Sequence, residues 1–219
     1  MKKAVSTSEE HGIAAMPKDA LYVYSVGLST AGAAELRMAQ ANSERRIVAS
    51  TIDEQGIADT RKIVEQMRLS DRISVKLEDV GQKLPYADDT FDYIYARLVL
   101  HYLSKQQLPG ALAELYRTLE PGGKLFVVVR SAKNIDATER ASGYDEYSGL
   151  TTYTTRPNSD LAEIRKRFFH TRESIERYVK SAGFTIIHSE QYDERLFHDY
   201  GRTIVAQHTD NLLEVLAVK

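Results

Sequence analysis

The stretch LYVYSVGLSTAGAA, Leu21 to Ala34, joins a short apolar strand to a loop of Gly, Ser, Thr and Ala that leads into a helix. Small residues at such a turn leave backbone N–H groups free and let a ligand approach the chain closely. Nucleotide-like cofactors are held in this way at the edge of a parallel sheet. The rest of the chain reads as scaffold, partner loops and cover for that turn.

On either side of it the chain alternates strand and helix. The first strand is expected over Ala20 to Val26 and a weakly amphipathic helix over about Ala31 to Gln40. Arg46 to Thr51 reads as a second strand, followed by a helix from about Gln55 to Arg68 whose Ile57, Ile63, Val64 and Met67 share one face. Arg72 to Glu78 alternates apolar and polar residues, as a half-buried strand does, and FDYIYA, residues 91 to 96, is the fourth strand. A helix with Pro109 in its first turn presents Leu108, Leu112, Leu115 and Leu119 to the sheet. Pro121-Gly122-Gly123 then turns the chain into KLFVVVR, whose continuous apolar run marks a strand covered on both faces. Five strands in strict alternation with helices imply an α/β fold with a parallel sheet and helices on both faces.

The pattern lapses from Ser131 to Phe169, where Gly143, Gly149 and Pro157 accompany Tyr144, Tyr147 and Tyr153. Interspersed aromatic and apolar residues mark this insertion as an ordered substrate cover rather than a linker. Thr171 can N-cap a further helix that Gly183 stops. Phe184 to Tyr192 and Asn211 to Lys219 read as an added antiparallel pair. One domain over residues 1 to 219 is expected, and residues 1 to 19 form either a mobile arm or a short helix placed against a site.

Composition narrows the function. Lys and Arg number 29 against 31 Asp and Glu, and the net charge of −2 gives no electrostatic reason to expect nucleic acid or an anionic membrane as partner. The chain has no cysteine, which excludes disulfides, thiolate metal sites and a cysteine nucleophile. Glu9, Glu10 and His11 stand where a signal peptide has its apolar run, and no apolar segment approaches the roughly 20 residues that span a bilayer. A soluble cytoplasmic protein is the expectation.

The order of motifs resembles the class I methyltransferases that use S-adenosylmethionine, in their small-molecule branch. The matching residues are the loop Gly27 to Gly32, Asp53 closing the second strand, Asp79 after the third, Phe91-Asp92 opening the fourth, and Leu119-Glu120-Pro121-Gly122-Gly123 before the fifth. The resemblance covers about residues 20 to 130 well and the last helix and two strands by pattern. It implies a Rossmann-like, doubly wound seven-stranded sheet, mostly parallel, with an antiparallel last strand. It also implies S-adenosylmethionine as cofactor and S-adenosylhomocysteine as product.

Residue by residue, the resemblance implies that the methionine part of the cofactor lies against Gly27, Leu28 and Ser29, where a branched side chain would obstruct it. Asp53 falls where a carboxylate can accept both ribose hydroxyls, though an Asp before a helix is also a common N-cap. Asp79 and Val80 would border the adenine, with Asp79 as a plain loop residue the other reading. Arg97 is either a neighbour of the cofactor carboxylate or a surface charge. The loop departs from the family at Ser25, where an acid is usual, and at Ser29 and Ala31, where glycines are usual.

His101 in RLVLHYL follows the fourth strand at the sheet edge and is the candidate catalytic base, or else a packing residue. The triplet His198-Asp199-Tyr200 and His170 lack a compact metal-ligand spacing, so no metal is expected. The function expected is methyl transfer to a small-molecule acceptor. A methyltransferase-like protein that binds cofactor or partner without turnover is the alternative, and a nicotinamide enzyme is disfavoured by the missing G-x-G-x-x-G.

Overall fold

The computed structural model describes residues 6–29, 32–155, 160, 162–197, 205–206 and 208–219. Seven strands form the main sheet: β1 (Tyr22–Val26), β2 (Arg46–Thr51), β3 (Ile73–Leu77), β4 (Phe91–Arg97), β5 (Leu119–Arg130), β9 (Thr185–Glu194) and β10 (Asp210–Val218). Their order is β3-β2-β1-β4-β5-β10-β9. β1 pairs in parallel with both β2 and β4, and β10 pairs antiparallel with β5 and β9. The chain therefore moves outward from β1 in one direction, then returns to start again at β4. Such a reversal opens a crevice beyond the C-terminal ends of the two central strands, where ligands bind in open α/β sheets.

Alternation along the strands feeds two cores. On one face Tyr24, Ile94 and Ala96 pack with α4 (Gln107–Thr118) and α6 (Arg172–Ser181). On the other, Val23, Tyr93, Tyr95 and Phe126 pack with α2 (Ala33–Ala41) and α3 (Glu54–Gln66). Leu108, Leu112 and Leu115 of α4 are fully buried, each contributing about 2 kcal/mol by leaving water. Thr171 caps α6 by accepting from Ser174 N–H, and Gly183 stops it at φ +108°.

Two regions were less legible. The N-terminal arm contains a helix, α1 (Thr7–Ala15), seated against the sheet: Tyr93 Oη donates to Gly12 O at 2.5 Å, and a Cβ on Gly12 would lie 2.6 Å from Phe126 Cε1. His11 Nδ1 lies 3.0 Å from Glu214 and 3.3 Å from Glu190, and Tyr192 Oη donates to Glu214 at 2.6 Å, so this His–Glu–Glu group fastens α1 to β9 and β10.

The insertion after β5 holds a short helix α5 (Ile135–Thr138) and a second, antiparallel sheet of β6 (Ala141–Tyr144), β7 (Thr151–Thr155) and β8 (Glu163–Arg167). The three strands are short and mostly exposed, so they carry no apolar alternation strong enough to read. Tyr144 and Tyr147 are exposed, whereas Tyr153 is buried with the Arg167 guanidinium 5.3 Å from its ring centre. Ala31, Pro157 and His198-Asp199-Tyr200 lie outside the described residues. Among the described residues no helix is long and apolar enough to cross a membrane.

Candidate active site

The crevice is built by two loops that touch. β1 ends at Val26, and Gly27 turns the chain at φ +74°, a region L side chains seldom adopt. A Cβ on Gly27 would lie 2.7 Å from Val99, in the loop after β4. Leu28 N–H then donates to Ser50 O of β2 at 2.7 Å, fixing the turn over the neighbouring strand. Beyond these contacts opens a cavity of about 460 Å³, a size suited to a small molecule or cofactor.

Six of the expected residues meet there: Gly27, Leu28, Ser29, Asp79, Val80 and Arg97 all line the cavity. Val80 is buried, and Asp79 Oδ1 accepts from Gly81 N–H at 2.8 Å. Arg97 is held from behind by α1, donating from Nε to Ser8 Oγ at 2.7 Å and from Nη2 to Ser6 Oγ at 2.6 Å. A guanidinium anchored by two neutral hydroxyls keeps its charge available to an anionic group.

Three expected residues are placed otherwise. Ser25 is fully buried behind the cavity wall and donates to Glu35 at 2.5 Å. Asp53 is exposed and absent from the lining; its Oδ1 accepts from Gln55 N–H at 3.1 Å and caps α3, with Thr51 and Ile52 lining the cavity in its stead. The N-cap geometry governs because the helix begins one residue later and needs an acceptor there.

His101 is buried in a single 3-10 turn, Leu100–Tyr102, and is likewise absent from the lining. Arg130 N–H donates to its Nδ1 at 3.3 Å, which leaves the ring proton on Nε2. Burial, then the nearby Arg167 and Arg130 charges, hold its pKa well below the usual 6.5. A ring so placed does not collect a proton from an acceptor in the cavity.

Some lining residues escaped the sequence reading. Ile52 is 74% exposed on the rim, an apolar side chain with no protein partner large enough to cover it. Its only signal was its place between a strand end and a helix cap. Glu78 also lines the cavity and gathers three hydroxyls into one chain: Ser50 Oγ donates to Tyr24 Oη at 3.0 Å, and Tyr24 and Tyr86 donate to Glu78 at 3.3 and 2.6 Å. Burial and the Glu78 carboxylate push both phenols above their ordinary range, so they remain donors. Tyr102 and Leu103 close the far side.

Residues 23–123 match the family model described as a methyltransferase domain. A putative methyltransferase of Encephalitozoon cuniculi is 30% identical over 120 residues, covering 52% of this chain and 54% of that protein. A ubiquinone/menaquinone biosynthesis C-methyltransferase of Paracoccus denitrificans is 26% identical over 175 residues, 77% of this chain and 68% of its own length. A solved S-adenosylmethionine-dependent methyltransferase of Methanosarcina mazei superposes with a TM-score of 0.73 at 16% identity, covering 94% of this chain and 95% of that one. Residues 23–123, a little under half of the chain, are thus similar in sequence to methyltransferase domains, and the fold is that of the solved protein.

The chain spans about half the length of the first of these relatives. S-adenosylmethionine is the cofactor for which the solved Methanosarcina mazei protein is named, and the cavity has three features that bear on such a ligand. Gly27 lets the loop pack on Val99 where a Cβ would clash, the rim offers an exposed apolar side chain in Ile52, and Arg97 places a guanidinium in the lining.

Proposed function

We propose that this protein transfers a methyl group from S-adenosylmethionine to a small-molecule acceptor. The observation that carries the reading is the cavity at the β1/β4 switch point, walled by a loop in which Gly27 admits no side chain. When bound, the cofactor supplies a methyl group already activated on a sulfonium, displaced in line by the acceptor. The residues therefore bind, orient and exclude water, and a strong base is not demanded of them.

In this reading Gly27, Leu28 and Ser29 support the amino-acid end, and Arg97 opposes its carboxylate. Ile52 and Val80 cover the adenine, and Asp79, with one oxygen turned to Gly81 N–H, accepts from the exocyclic amine with the other. The ribose rests at the end of β2 beside Thr51. Tyr102 and Leu103 face the side from which the acceptor arrives, beneath the cover formed by residues 131–169. His101 packs this wall and stays neutral rather than serving as base.

The small-molecule acceptor is supported by relatives named for methylation of ubiquinone or menaquinone precursors and of sterols, and by a net charge of −2 that offers nothing to a phosphate backbone. Isothermal calorimetry with S-adenosylmethionine and S-adenosylhomocysteine tests the cofactor half: saturable heat at micromolar to low millimolar ligand is expected, and none at millimolar ligand defeats the reading. Release of S-adenosylhomocysteine on adding quinol or phenol acceptors tests the other half. Binding without turnover on any acceptor class would return the protein to a silent relative.

A further inference from the structure

Glu35 is the buried group that the reading above leaves unused. It lies in the first turn of α2 with no exposed surface, and three donors from the cavity loop converge on its carboxylate. Ser25 Oγ donates to Oε1 at 2.5 Å, Ser29 N–H to Oε1 at 3.2 Å, and Ser29 Oγ to Oε2. All three are neutral, and among the described residues no Lys, Arg or His forms an ion pair with it. A buried carboxylate without a cation is costly, and hydrogen bonds compensate only part of that cost. Such a group persists where a ligand brings the missing positive charge.

The orientation of Ser29 says where that charge arrives. Its single hydroxyl proton goes to Glu35, and its oxygen accepts from Ala34 N–H at 3.0 Å. Ser29 lines the cavity, so the loop presents there an oxygen that can only accept, with a carboxylate one hydroxyl behind it. Backbone N–H groups at this turn, which would favour an anion, are offset by the same charge. A neutral or anionic ligand gains nothing at this point, whereas an ammonium donates to the hydroxyl oxygen and neutralises the carboxylate.

We propose that Glu35 is the counter-charge of the ligand's ammonium group, acting through Ser29 and Ser25 as a positioning residue that selects amino-acid-bearing nucleosides over plain ones. This rests on the adenosylmethionine reading and deepens it. It also gives Ser25 a purpose: the acid stands ten residues further along and reaches the loop through the serine.

The test compares two ligands in calorimetry on the full chain, S-adenosylhomocysteine, which carries the ammonium, and methylthioadenosine, which lacks the amino-acid part. Glu35→Gln keeps the shape and removes the charge. It is expected to weaken S-adenosylhomocysteine at least tenfold and methylthioadenosine less than twofold, with thermal melts confirming that the variant is folded. Glu35→Ala combined with Ser25→Asp returns a carboxylate to the same wall from β1 and is expected to restore S-adenosylhomocysteine to within about threefold of wild type, while Glu35→Ala alone stays weak. Equal loss for both ligands together with failure of Ser25→Asp to rescue would assign Glu35 to loop structure and overturn the proposal, as would unchanged S-adenosylhomocysteine affinity in Glu35→Gln. Wild type that binds neither ligand defeats the cofactor reading itself, a result distinct from the other two.

Discussion

The cavity loop and the insertion after β5 are two halves of the molecule held in place in different ways. At the cavity loop the donors are neutral: Ser25 and Ser29 reach Glu35 ten and six residues away, while Gly27 leans on Val99 from far along the chain. In the insertion after β5 the contacts are ionic and join local pairs to distant ones. Asp136 accepts from Arg130 at 2.7 Å and Arg140 at 3.0 Å, with Arg167 at 3.6 Å; Arg130 also pairs with Asp210 at 2.6 Å, and Asn134 donates to Asp210 at 2.9 Å. A loop that positions one ligand by backbone approach can be written locally. An insertion that must sit against β5 and β10 adds charges such as Arg167 and Asp210, dozens of residues from their partners.

The sharpest way to separate the halves is Asp136→Ala. Its side chain is 5% exposed, and its loss removes the carboxylate that Arg130, Arg140 and Arg167 share, leaving Arg130 with Asp210. Breaking such a cluster by deleting one partner costs about 3–5 kcal/mol. Urea unfolding should register that loss, while S-adenosylhomocysteine affinity of the folded variant stays within about threefold of wild type. An affinity loss as large as the stability loss would mean that the two halves are one unit.

Acid should attack the same side first. His170 is fully buried, its Nδ1 3.1 Å from Ser174 Oγ and its ring 4.1 Å from that of Phe168, and burial lowers its pKa from 6.5 to about 3. Between about pH 3 and 6.5 the unfolded chain therefore binds a proton that the folded chain does not, so this contribution is complete above pH 6.5 and is lost as pH falls. By pH 5 the loss through His170 is about 2 kcal/mol, and His101, shifted the same way, adds to it. Melting temperatures from pH 7 to 4.5 should fall steeply in wild type and less steeply in His170→Phe, which keeps the ring packing. Parallel curves would show that the carboxylates, not the histidines, set acid lability.

These contrasts also explain what could be read from the chain alone. The order of five strands, the Pro121-Gly122-Gly123 turn and the cap at Thr171 are local signals, and the structure has an element at each. The cavity loop was legible for the same reason, because glycine at a positive φ leaves a mark in the sequence. Glu35 was not, since nothing local distinguishes a buried glutamate in a first helical turn from a solvated one. Nor was the second sheet, whose strands Thr151–Thr155, half-buried around Tyr153, and Glu163–Arg167, exposed up to Arg167, carry mixed polar residues and no period.

Gly27 offers a smaller effect on the cofactor side. Gly27→Ala meets two costs, a positive φ and a Cβ 2.7 Å from Val99, together about 2 kcal/mol of stability. S-adenosylhomocysteine affinity should fall roughly tenfold as the loop shifts to relieve the contact with Val99. Adding Val99→Ala should recover a small part of the stability, because it removes Cγ2 but leaves Cβ 2.7 Å from the new methyl group, and none of the backbone strain. Full recovery of affinity in the double variant would move the ligand away from Gly27.

The smallest expected effect concerns the residue on which local and ligand-based readings compete. Asp53 caps α3, and Asp53→Ala should cost about 1 kcal/mol through the lost acceptor for Gln55 N–H. Asp53→Asn retains an oxygen for the cap and removes the charge, so stability should stay near wild type. Affinity for S-adenosylhomocysteine should then change less than twofold in Asp53→Asn, because Thr51 and Ile52, not Asp53, line the cavity. A tenfold loss in Asp53→Asn would mean that the carboxylate leaves its cap to meet the ribose, making one residue serve helix and ligand in turn and tying the start of α3 to cofactor binding.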